Sequence, residues 1–328
     1  MMKKIINHPD HVVTEMLQGI ALAHPEVVYF KEAEVIARKE KSAKVGLVSG
    51  GGSGHEPSHA GYVGKGMLDA AVAGNVFASP SPDRILKGIQ EANSGKGVLL
   101  VIKNYSGDIM NFQMAQELAE MEGIDVDYVV VKDDVAVPDS TYSTGRRGIA
   151  GTVFVHKAAG AKAEMGASLQ EVKRVAEKTI ANIRSMGMAM SSCVLPGVGT
   201  PSFTLAENEI EIGMGIHGEP GIEKSPVIPA KEVARRMVEP ILKDFNEMSG
   251  EVAVMVNGLG ATPLMELYIL FGEVVELLKN HDITVYRAYV GNFMTALEMS
   301  GASLTLLNLD EELKALIDAP CQTPAMKG

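Results

Sequence analysis

The chain has 328 residues, with 30 basic against 41 acidic side chains and a formal net charge of −11. This acidic balance disfavours a general nucleic-acid-binding protein, because neutralising phosphates requires a basic surface. Two cysteines are too few for a disulfide framework, and no apolar run approaches the roughly 18 residues of a membrane span. The segment Asn7–Asp10 interrupts the only candidate signal-peptide core, so we expect no export signal and a cytoplasmic protein.

Short aliphatic runs alternate with helical patterns in the first half of the chain. The predicted buried strands are Lys44–Ser49, Val98–Ile102 and Tyr128–Val131. Asn111–Glu122 has helical spacing and Gly123 provides its C-cap. Ser81 and Pro82 are typical of the start of a further helix. Continuous aliphatic strands separated by helices indicate a mainly parallel sheet that is covered on both faces.

The second half continues this alternation. The predicted strands are Ala189–Leu195, Glu209–Ile216, Val252–Val256, Thr284–Val290 and Ser303–Leu307. The predicted helices are Ile149–Met165, Leu169–Met186, Ala230–Phe245, Pro263–Asn280, Phe293–Ser300 and Asp310–Asp318. The pattern predicts two α/β domains, each a mixed, largely parallel sheet flanked by helices. We expect the domains to be residues 1–187, with a Gly-rich loop, and residues 188–328.

The Gly-rich segment Ser49–Pro57 follows the first predicted strand. Backbone N–H groups of such a turn can cradle a polar ligand. The segment has His55 where a Walker A loop needs lysine, and Glu56 and Pro57 break the dinucleotide-binding spacing. A nucleotide site is therefore disfavoured. The alternative is a tight turn that only joins a strand to a helix.

Two further loops carry candidate chemistry. Lys103 and Asp108 follow a predicted buried strand, where ligands bind open α/β sheets, although a solvated loop with a local ion pair fits equally well. His217 has Gly215 and Gly218 beside it, so another molecule can approach its ring closely. A neutral histidine is a nucleophile, whereas a lone histidine is more often structural.

The remaining histidines and a pair of arginines give weaker indications of function. We interpret six histidines as surface or packing residues: His8, His11, His24, His59, His156 and His281. No histidine pair has metal-ligand spacing on one helix, so no metal site is predicted. Arg146 and Arg147 fit either an anion site or the start of a helix.

Several ordered motifs together carry a family resemblance over essentially the whole chain. They are Val48–Pro57, Ile102–Asp108, Gly145–Gly148, Pro201–Leu205, Gly215–Gly221 and Gly260–Pro263. The chain resembles the dihydroxyacetone-binding K subunits of the phosphotransferase-dependent dihydroxyacetone kinases.

The resemblance implies a role for each matching residue. His217 matches the histidine that adds to the ketone carbon of dihydroxyacetone as a hemiaminal, and His55 matches the acid/base histidine. Lys103 and Asp108 match residues that hydrogen-bond substrate hydroxyls, with Asp108 as the base for the attacking oxygen. The glycine-rich residues Gly52, Ser53 and Gly54 would lie against the substrate together with His55.

The resemblance also implies partners. The phosphoryl group would come from ADP/ATP and Mg held on a separate L subunit, so no cofactor is expected on this chain. A phosphohistidine-carrying M subunit would recharge the L subunit, and the K subunit would be a homodimer. No counterpart of the nucleotide-binding domain of single-chain kinases is recognised, so we expect ATP alone not to support activity. No nucleic-acid or membrane partner is expected.

Two other functions compete with this kinase subunit. One is a dihydroxyacetone-binding co-activator of a transcription factor that uses the same histidine. The other is an α/β protein of similar architecture that binds fatty acid. Retention of His55, Lys103, Asp108 and His217 together favours the kinase subunit, because a sensor needs no acid/base pair.

Overall fold

The computed structural model describes residues 3–138, 145–245 and 248–328. Its strands are β1 Val27–Phe30, β2 Val35–Arg38, β3 Gly46–Ser53, β4 Ala70–Val76, β5 Val98–Lys103, β6 Val126–Val131, β7 Ile183–Ala189, β8 Glu209–Ile212, β9 Glu223–Pro226, β10 Gly250–Gly258, β11 Ile283–Gly291 and β12 Gly301–Leu309. Its α-helices are α1 Val12–Ala23, α2 Pro82–Ala92, α3 Ser106–Met121, α4 Thr152–Glu164, α5 Leu169–Ala181, α6 Ala230–Phe245, α7 Leu264–Asn280 and α8 Glu311–Asp318.

The chain divides into two compact units that are not contiguous in sequence. The first unit contains Met1–Val131, Thr152–Ile180 and Leu313–Gly328, and the second contains Lys132–Gly151 and Ala181–Glu312. This division differs from the single boundary predicted at residue 187. The segment Lys132–Gly151 belongs to the second unit, and the carboxyl-terminal segment Leu313–Gly328 belongs to the first. The prediction of two α/β domains is confirmed at the level of architecture.

The first unit is built on a mixed six-stranded sheet in the order β1-β2-β4-β3-β5-β6. Strands β4, β3, β5 and β6 run parallel, whereas β1 and β2 pair antiparallel at one edge. Successive residues of β5 are all buried, as expected for a strand covered on both faces. The core joins aliphatic side chains of this sheet to α2 and α3. The carboxyl ends of β3 and β5 carry the predicted site residues of this unit.

The second unit has another mixed sheet, in the order β11-β10-β12-β7-β8-β9. Only the β10–β11 pair is parallel within it, and the other four pairs are antiparallel, so the expected predominance of parallel pairing holds for the first sheet alone. Its core packs sheet side chains against α6 and α7. Strand β8 leads directly into the loop that contains His217.

Several predicted elements differ from the structure, among them the strand predicted at Glu209–Ile216, which ends at Ile212. Helix α5 ends at Ala181, and the residues from Ile183 to Met186, which were predicted to continue it, belong to β7. The strand predicted at Ala189–Leu195 is therefore displaced toward the amino terminus, because β7 pairs antiparallel with the distant β12. The predicted helix Phe293–Ser300 is a loop, in which Asn257 Oδ1 accepts hydrogen bonds from the backbone N–H groups of Phe293 and Met294 at 2.8 and 2.9 Å.

Candidate functional site

In the first unit, the predicted Gly-rich loop is largely the end of strand β3. Gly51 has a φ of +149°, and a Cβ at this position would lie 2.9 Å from Lys103 Nζ and 3.4 Å from Asp108 Oδ2. Glycine therefore lets the backbone approach these two charged groups, which any side chain would crowd. The segment is therefore mostly the end of a strand that packs against charged side chains, and not only a tight turn that joins a strand to a helix.

Lys103 and Asp108 form a buried ion pair rather than a solvated one. Lys103 ends β5 and is 0% exposed, and Asp108 lies in the first turn of α3 and is 4% exposed. Lys103 Nζ lies 3.4 Å from Asp108 Oδ2 and 5.1 Å from the ring centroid of Tyr105. The amino-terminal end of a helix favours an anion, so the position of Asp108 stabilises its carboxylate. The pair places a cation and a potential base next to the glycine backbone.

The residues from Gly52 to His55 follow Gly51 in the chain and are buried as well. Gly52 packs against the backbone of Phe77 and Ala78, and Ser53 Oγ donates a hydrogen bond to Gly74 O at 2.8 Å. His55 is fully buried and stacks on the Phe77 ring with a centroid distance of 5.0 Å. This stacking fixes the plane of the imidazole ring.

A second pair of histidines lies in the same unit. His59 and His156 are both buried, and His59 Nδ1 lies 3.0 Å from His156 Nε2. Burial lowers the pKa of His156 to about 3, with a further contribution from the Lys103 charge. Burial also lowers the pKa of His59, and the neighbouring His156, Lys103 and His55 act in the same direction. The sequence did not predict this pair, because 97 residues separate its members.

In the second unit, the carboxylate of Glu219 holds His217 at two points. Glu219 Oε1 lies 2.9 Å from His217 Nδ1, and Glu219 Oε2 accepts the backbone N–H of His217 at 2.9 Å. Burial raises the pKa of Glu219, but the hydrogen bond and charge of His217 outweigh it and lower the pKa to about 2. The His217 side chain is 20% exposed.

Gly215 allows this arrangement. A Cβ on Gly215 would lie 2.0 Å from Glu219 Oε2 and 2.7 Å from an Arg147 guanidinium nitrogen. The sequence identified this glycine as a sign of close approach, but it assigned no role to Glu219. The sequence feature that indicates this contact is the two-residue spacing of His217 and Glu219 beside Gly215 and Gly218.

The two neighbouring arginines anchor the second unit instead of forming an open anion site. Arg147 donates to Asp134 Oδ2 at 2.8 Å and to Gly213 O at 2.7 Å, which fixes the start of the His217 loop. Arg146 forms a bidentate ion pair with Asp244, which Arg184 also contacts. Neither arginine begins a helix, since α4 starts at Thr152.

The site residues predicted from the sequence thus form two groups. The first unit brings together the glycine backbone, His55, Lys103 and Asp108, and the second unit presents His217 with Glu219. Across residues 3–138, 145–245 and 248–328, no three His, Cys, Asp or Glu side chains are grouped so that they could hold a metal ion. In those same ranges no helix is both long and apolar enough to cross a bilayer.

Known proteins are similar to this chain in sequence and in fold. The Dak1 domain model matches residues 18–325. The chain is 54% identical over 314 residues to the "PTS-dependent dihydroxyacetone kinase 1, dihydroxyacetone-binding subunit DhaK" of Listeria innocua serovar 6a, covering 95% of each chain.

Two solved structures are similar along the whole chain. The dihydroxyacetone kinase of C. freundii superposes with a TM-score of 0.92 at 37% identity, and the match covers 100% of this chain and 60% of that longer one. The "Dihydroxyacetone kinase operon co-activator Dha-DhaQ" superposes with a TM-score of 0.91 at 38% identity, covering 97% and 98% of the two chains. The chain therefore belongs to the Dak1 domain family, and its predicted resemblance to the K subunits of dihydroxyacetone kinases is confirmed.

Proposed function

We propose that this chain is the dihydroxyacetone-binding subunit of a phosphotransferase-dependent dihydroxyacetone kinase. The names of its relatives support the substrate and the reaction class. The observation that carries the proposal is the contact of the Glu219 carboxylate with Nδ1 of His217 at 2.9 Å. That contact prepares an imidazole for covalent capture of a ketone.

The nucleophile is Nε2 of His217. An ionised Glu219 only accepts hydrogen bonds, so it keeps the ring proton on Nδ1 and leaves the lone pair on Nε2. This lone pair forms a bond to the carbonyl carbon of dihydroxyacetone, and the π electrons move to the oxygen, which takes a proton. The resulting ring is bonded at Nε2, keeps its Nδ1 proton and is cationic. Glu219 balances that charge.

The first unit supplies the polar groups for the rest of the substrate. We assign hydroxyl binding to Lys103, Asp108 and the backbone of Gly52–Gly54, and acid/base chemistry at the ketone oxygen to His55. Asp108 takes the proton of the hydroxyl that attacks phosphorus. A base of this kind contributes roughly 10²–10⁴-fold to a reaction rate.

The phosphoryl donor lies on another chain. A separate L subunit holds ADP/ATP and Mg, and it transfers phosphorus to the substrate hydroxyl to give dihydroxyacetone phosphate. A phosphohistidine-carrying M subunit recharges that nucleotide. We place this cycle in the cytoplasm, where phosphotransferase proteins supply phosphohistidine.

The subunit assembles as a homodimer in this proposal. Strand β11 is a nine-residue edge of the second sheet. Apolar side chains stand exposed beside it on α7 and on the strand itself, including Tyr268, Ile269 and Tyr286. An exposed edge strand next to apolar surface favours pairing with another chain.

A co-activator role is the alternative, because a solved co-activator is 38% identical over nearly the full chain. Both functions use a hemiaminal, so substrate capture does not separate them. Reconstitution with the purified L and M subunits and phosphoenolpyruvate does. Formation of dihydroxyacetone phosphate supports the kinase, and its absence together with stimulation of a transcription factor supports the co-activator.

The capture step is tested by intact mass measurement under native conditions. We expect dihydroxyacetone to add its whole mass, because carbonyl addition expels no water, and glycerol to add nothing. His217→Ala abolishes the adduct. His281→Ala, at an exposed histidine of the same unit, retains it. An unaltered wild-type mass in dihydroxyacetone would refute hemiaminal binding.

A further inference from the structure

The buried pair of His59 and His156 has one ring nitrogen at each end without a hydrogen-bond partner among the described protein groups. These atoms are Nε2 of His59 and Nδ1 of His156, and the two residues are 6% and 0% exposed. Buried polar atoms are nearly always paired, so an orphan nitrogen indicates a bound water or a role in the site. Neither histidine takes part in the steps proposed above.

The neighbours of His59 Nδ1 determine where the protons of the pair lie. Ser49 Oγ lies 3.4 Å from this nitrogen and donates its own proton to Val101 O at 2.7 Å, so toward the ring it can only accept. His59 Nδ1 therefore carries a proton, which it donates to His156 Nε2 at 3.0 Å. Burial lowers the pKa of both rings, so both are neutral at neutral pH. The second nitrogen of His59, Nε2, then has a lone pair and is an acceptor.

His59 lines a small cavity at the Gly-rich end of β3, with a volume of about 20 Å³. A buried water needs roughly 10–15 Å³, so the space suits one water molecule and no larger ligand. The residues Gly51–Ser53 also line the cavity, together with Glu56 and Ser58, which carry polar side chains. A buried water makes about two to four hydrogen bonds, and this lining can supply them.

Glu56 joins this cavity to the loop backbone to which we assign substrate hydroxyls. Its Oε1 accepts the backbone N–H of Gly54 at 3.0 Å. Gly54 has a φ of +103°, a conformation that glycine adopts more readily than other residues, so the carboxyl group holds the chain where it bends. At the other end of the cavity, His59 is bonded to His156 in α4, a helix that is buried along almost its whole length. The histidine pair is therefore a firm anchor.

We propose that one water molecule binds in this cavity between His59 Nε2 and the Glu56 carboxyl group, donating a hydrogen bond to each. The water completes a hydrogen-bond chain from His156 on α4 to the backbone of Gly54. His59 is then a positioning residue, which acts on the substrate through the backbone of Gly52–Gly54. This role rests on the proposed function, because it assumes that this backbone binds substrate hydroxyls, whereas the water site does not depend on it.

Two measurements on the wild-type chain test the water site directly. A crystal structure of the full-length chain should show an ordered water within hydrogen-bond distance of both His59 Nε2 and the Glu56 carboxyl group. Nitrogen NMR of the chain with isotope-labelled histidine should show a proton on Nδ1 of His59 and none on Nε2. A protonated Nε2, or no ordered water between the two groups, overturns the proposal.

Two substitutions of His59 separate the roles of its nitrogens. The asparagine amide reaches the position of Nδ1 and can still bond to His156, but nothing replaces Nε2, whereas the glutamine amide reaches the position of Nε2 and can accept from the water. In adduct titration we expect His59→Asn to bind dihydroxyacetone roughly threefold to tenfold more weakly than wild type, as for the loss of one hydrogen bond. His59→Gln should bind more tightly than His59→Asn. His8→Asn, at an exposed histidine of the same unit, should keep the wild-type affinity.

Thermal unfolding first shows that each variant is folded. Equal affinity of His59→Asn and wild type for dihydroxyacetone overturns the positioning role and leaves the proposed function standing. An equal loss in His59→Asn and His59→Gln also overturns it, because Nε2 is then not the group that matters. If the wild-type chain forms no adduct, the proposed function fails and the positioning role fails with it, while the crystal structure and the ring spectra still decide the water site.

Discussion

Glu219 contacts His217 twice, at the ring through Nδ1 and at the backbone through its N–H, with both distances at 2.9 Å. The backbone contact fixes the carboxylate, so the ring contact sets the orientation of the imidazole. One side chain therefore controls both the tautomer and the direction of the proposed nucleophile.

Glu219→Gln is expected to weaken formation of the dihydroxyacetone adduct roughly tenfold. The amide retains an acceptor for the backbone N–H, but it removes the negative charge that balances the cationic ring, and hydrogen bonds to charged groups contribute about 1.5–3 kcal/mol. Because Glu219 is partly exposed, we expect the lower part of that range. Titration with dihydroxyacetone under native mass spectrometry measures the effect. Glu207→Gln, on an exposed residue of the same unit, is the control; equal titration curves for all three proteins would contradict the role of Glu219.

Asp108→Asn is expected to separate capture from turnover. The adduct on His217 should still form, whereas turnover with the L subunit should fall roughly 10²–10⁴-fold, because the proton acceptor for the attacking hydroxyl is lost. A coupled assay of dihydroxyacetone phosphate gives the turnover. Asp125→Asn, at an exposed aspartate of the same unit, should retain wild-type turnover. Undiminished turnover in Asp108→Asn removes this residue from the mechanism.

Gly51→Ala is expected to disturb the site by steric crowding, because the substitution changes no charge. The new Cβ would lie 2.9 Å from Lys103 Nζ, at a φ of +149° that alanine rarely adopts. We expect a lower melting temperature together with weaker dihydroxyacetone binding, measured by scanning calorimetry and by adduct titration. Gly19→Ala in α1 is the control, because no atom apart from its chain neighbours and the backbone of its own helix lies within 4 Å of its Cβ position. It should stabilise the helix by about 0.5–1 kcal/mol. Normal binding by Gly51→Ala would show that the close approach is not required.

Strong local patterns predicted much of this fold. The continuous aliphatic runs of β3, β5 and β6 identify buried strands, and the spacing of α6 and α7 identifies helices. The loop after Phe293 has a helical apolar pattern, but Asn257 on β10 binds its backbone and prevents the helix. Such a contact joins residues 36 and 37 positions apart, and no local pattern contains it.

Some residues of the candidate site could be predicted from local sequence, whereas others depend on contacts that only the fold creates. Glycines next to His217 and the short spacing from Lys103 to Asp108 are visible in the sequence, so these residues were predicted. Glu219 gains its importance from the fold of the loop around Gly215, where a missing Cβ admits its carboxylate. The His59–His156 pair depends on a contact between distant segments, and packing alone brings it together.

That histidine pair links stability to pH. Burial and the charge of Lys103 lower the pKa of His156 to about 3 in the folded chain, whereas an unfolded histidine titrates near a pKa of about 6.5. Between these values the unfolded chain binds a proton that the folded chain does not bind. The contribution of His156 is therefore fully present above pH ~6.5, and it is lost as the pH falls toward about 3.

His156→Gln is expected to flatten this dependence. The glutamine amide can either donate a hydrogen bond to His59 Nδ1 or accept one from it, but it does not titrate. About 1.4 kcal/mol per pH unit of slope should therefore disappear from the unfolding free energy inside that window. Urea unfolding at a series of mildly acidic pH values measures the slope. His281→Gln, at an exposed histidine, should keep the wild-type slope. If His156→Gln also keeps the wild-type slope, His156 is not held neutral in the folded protein.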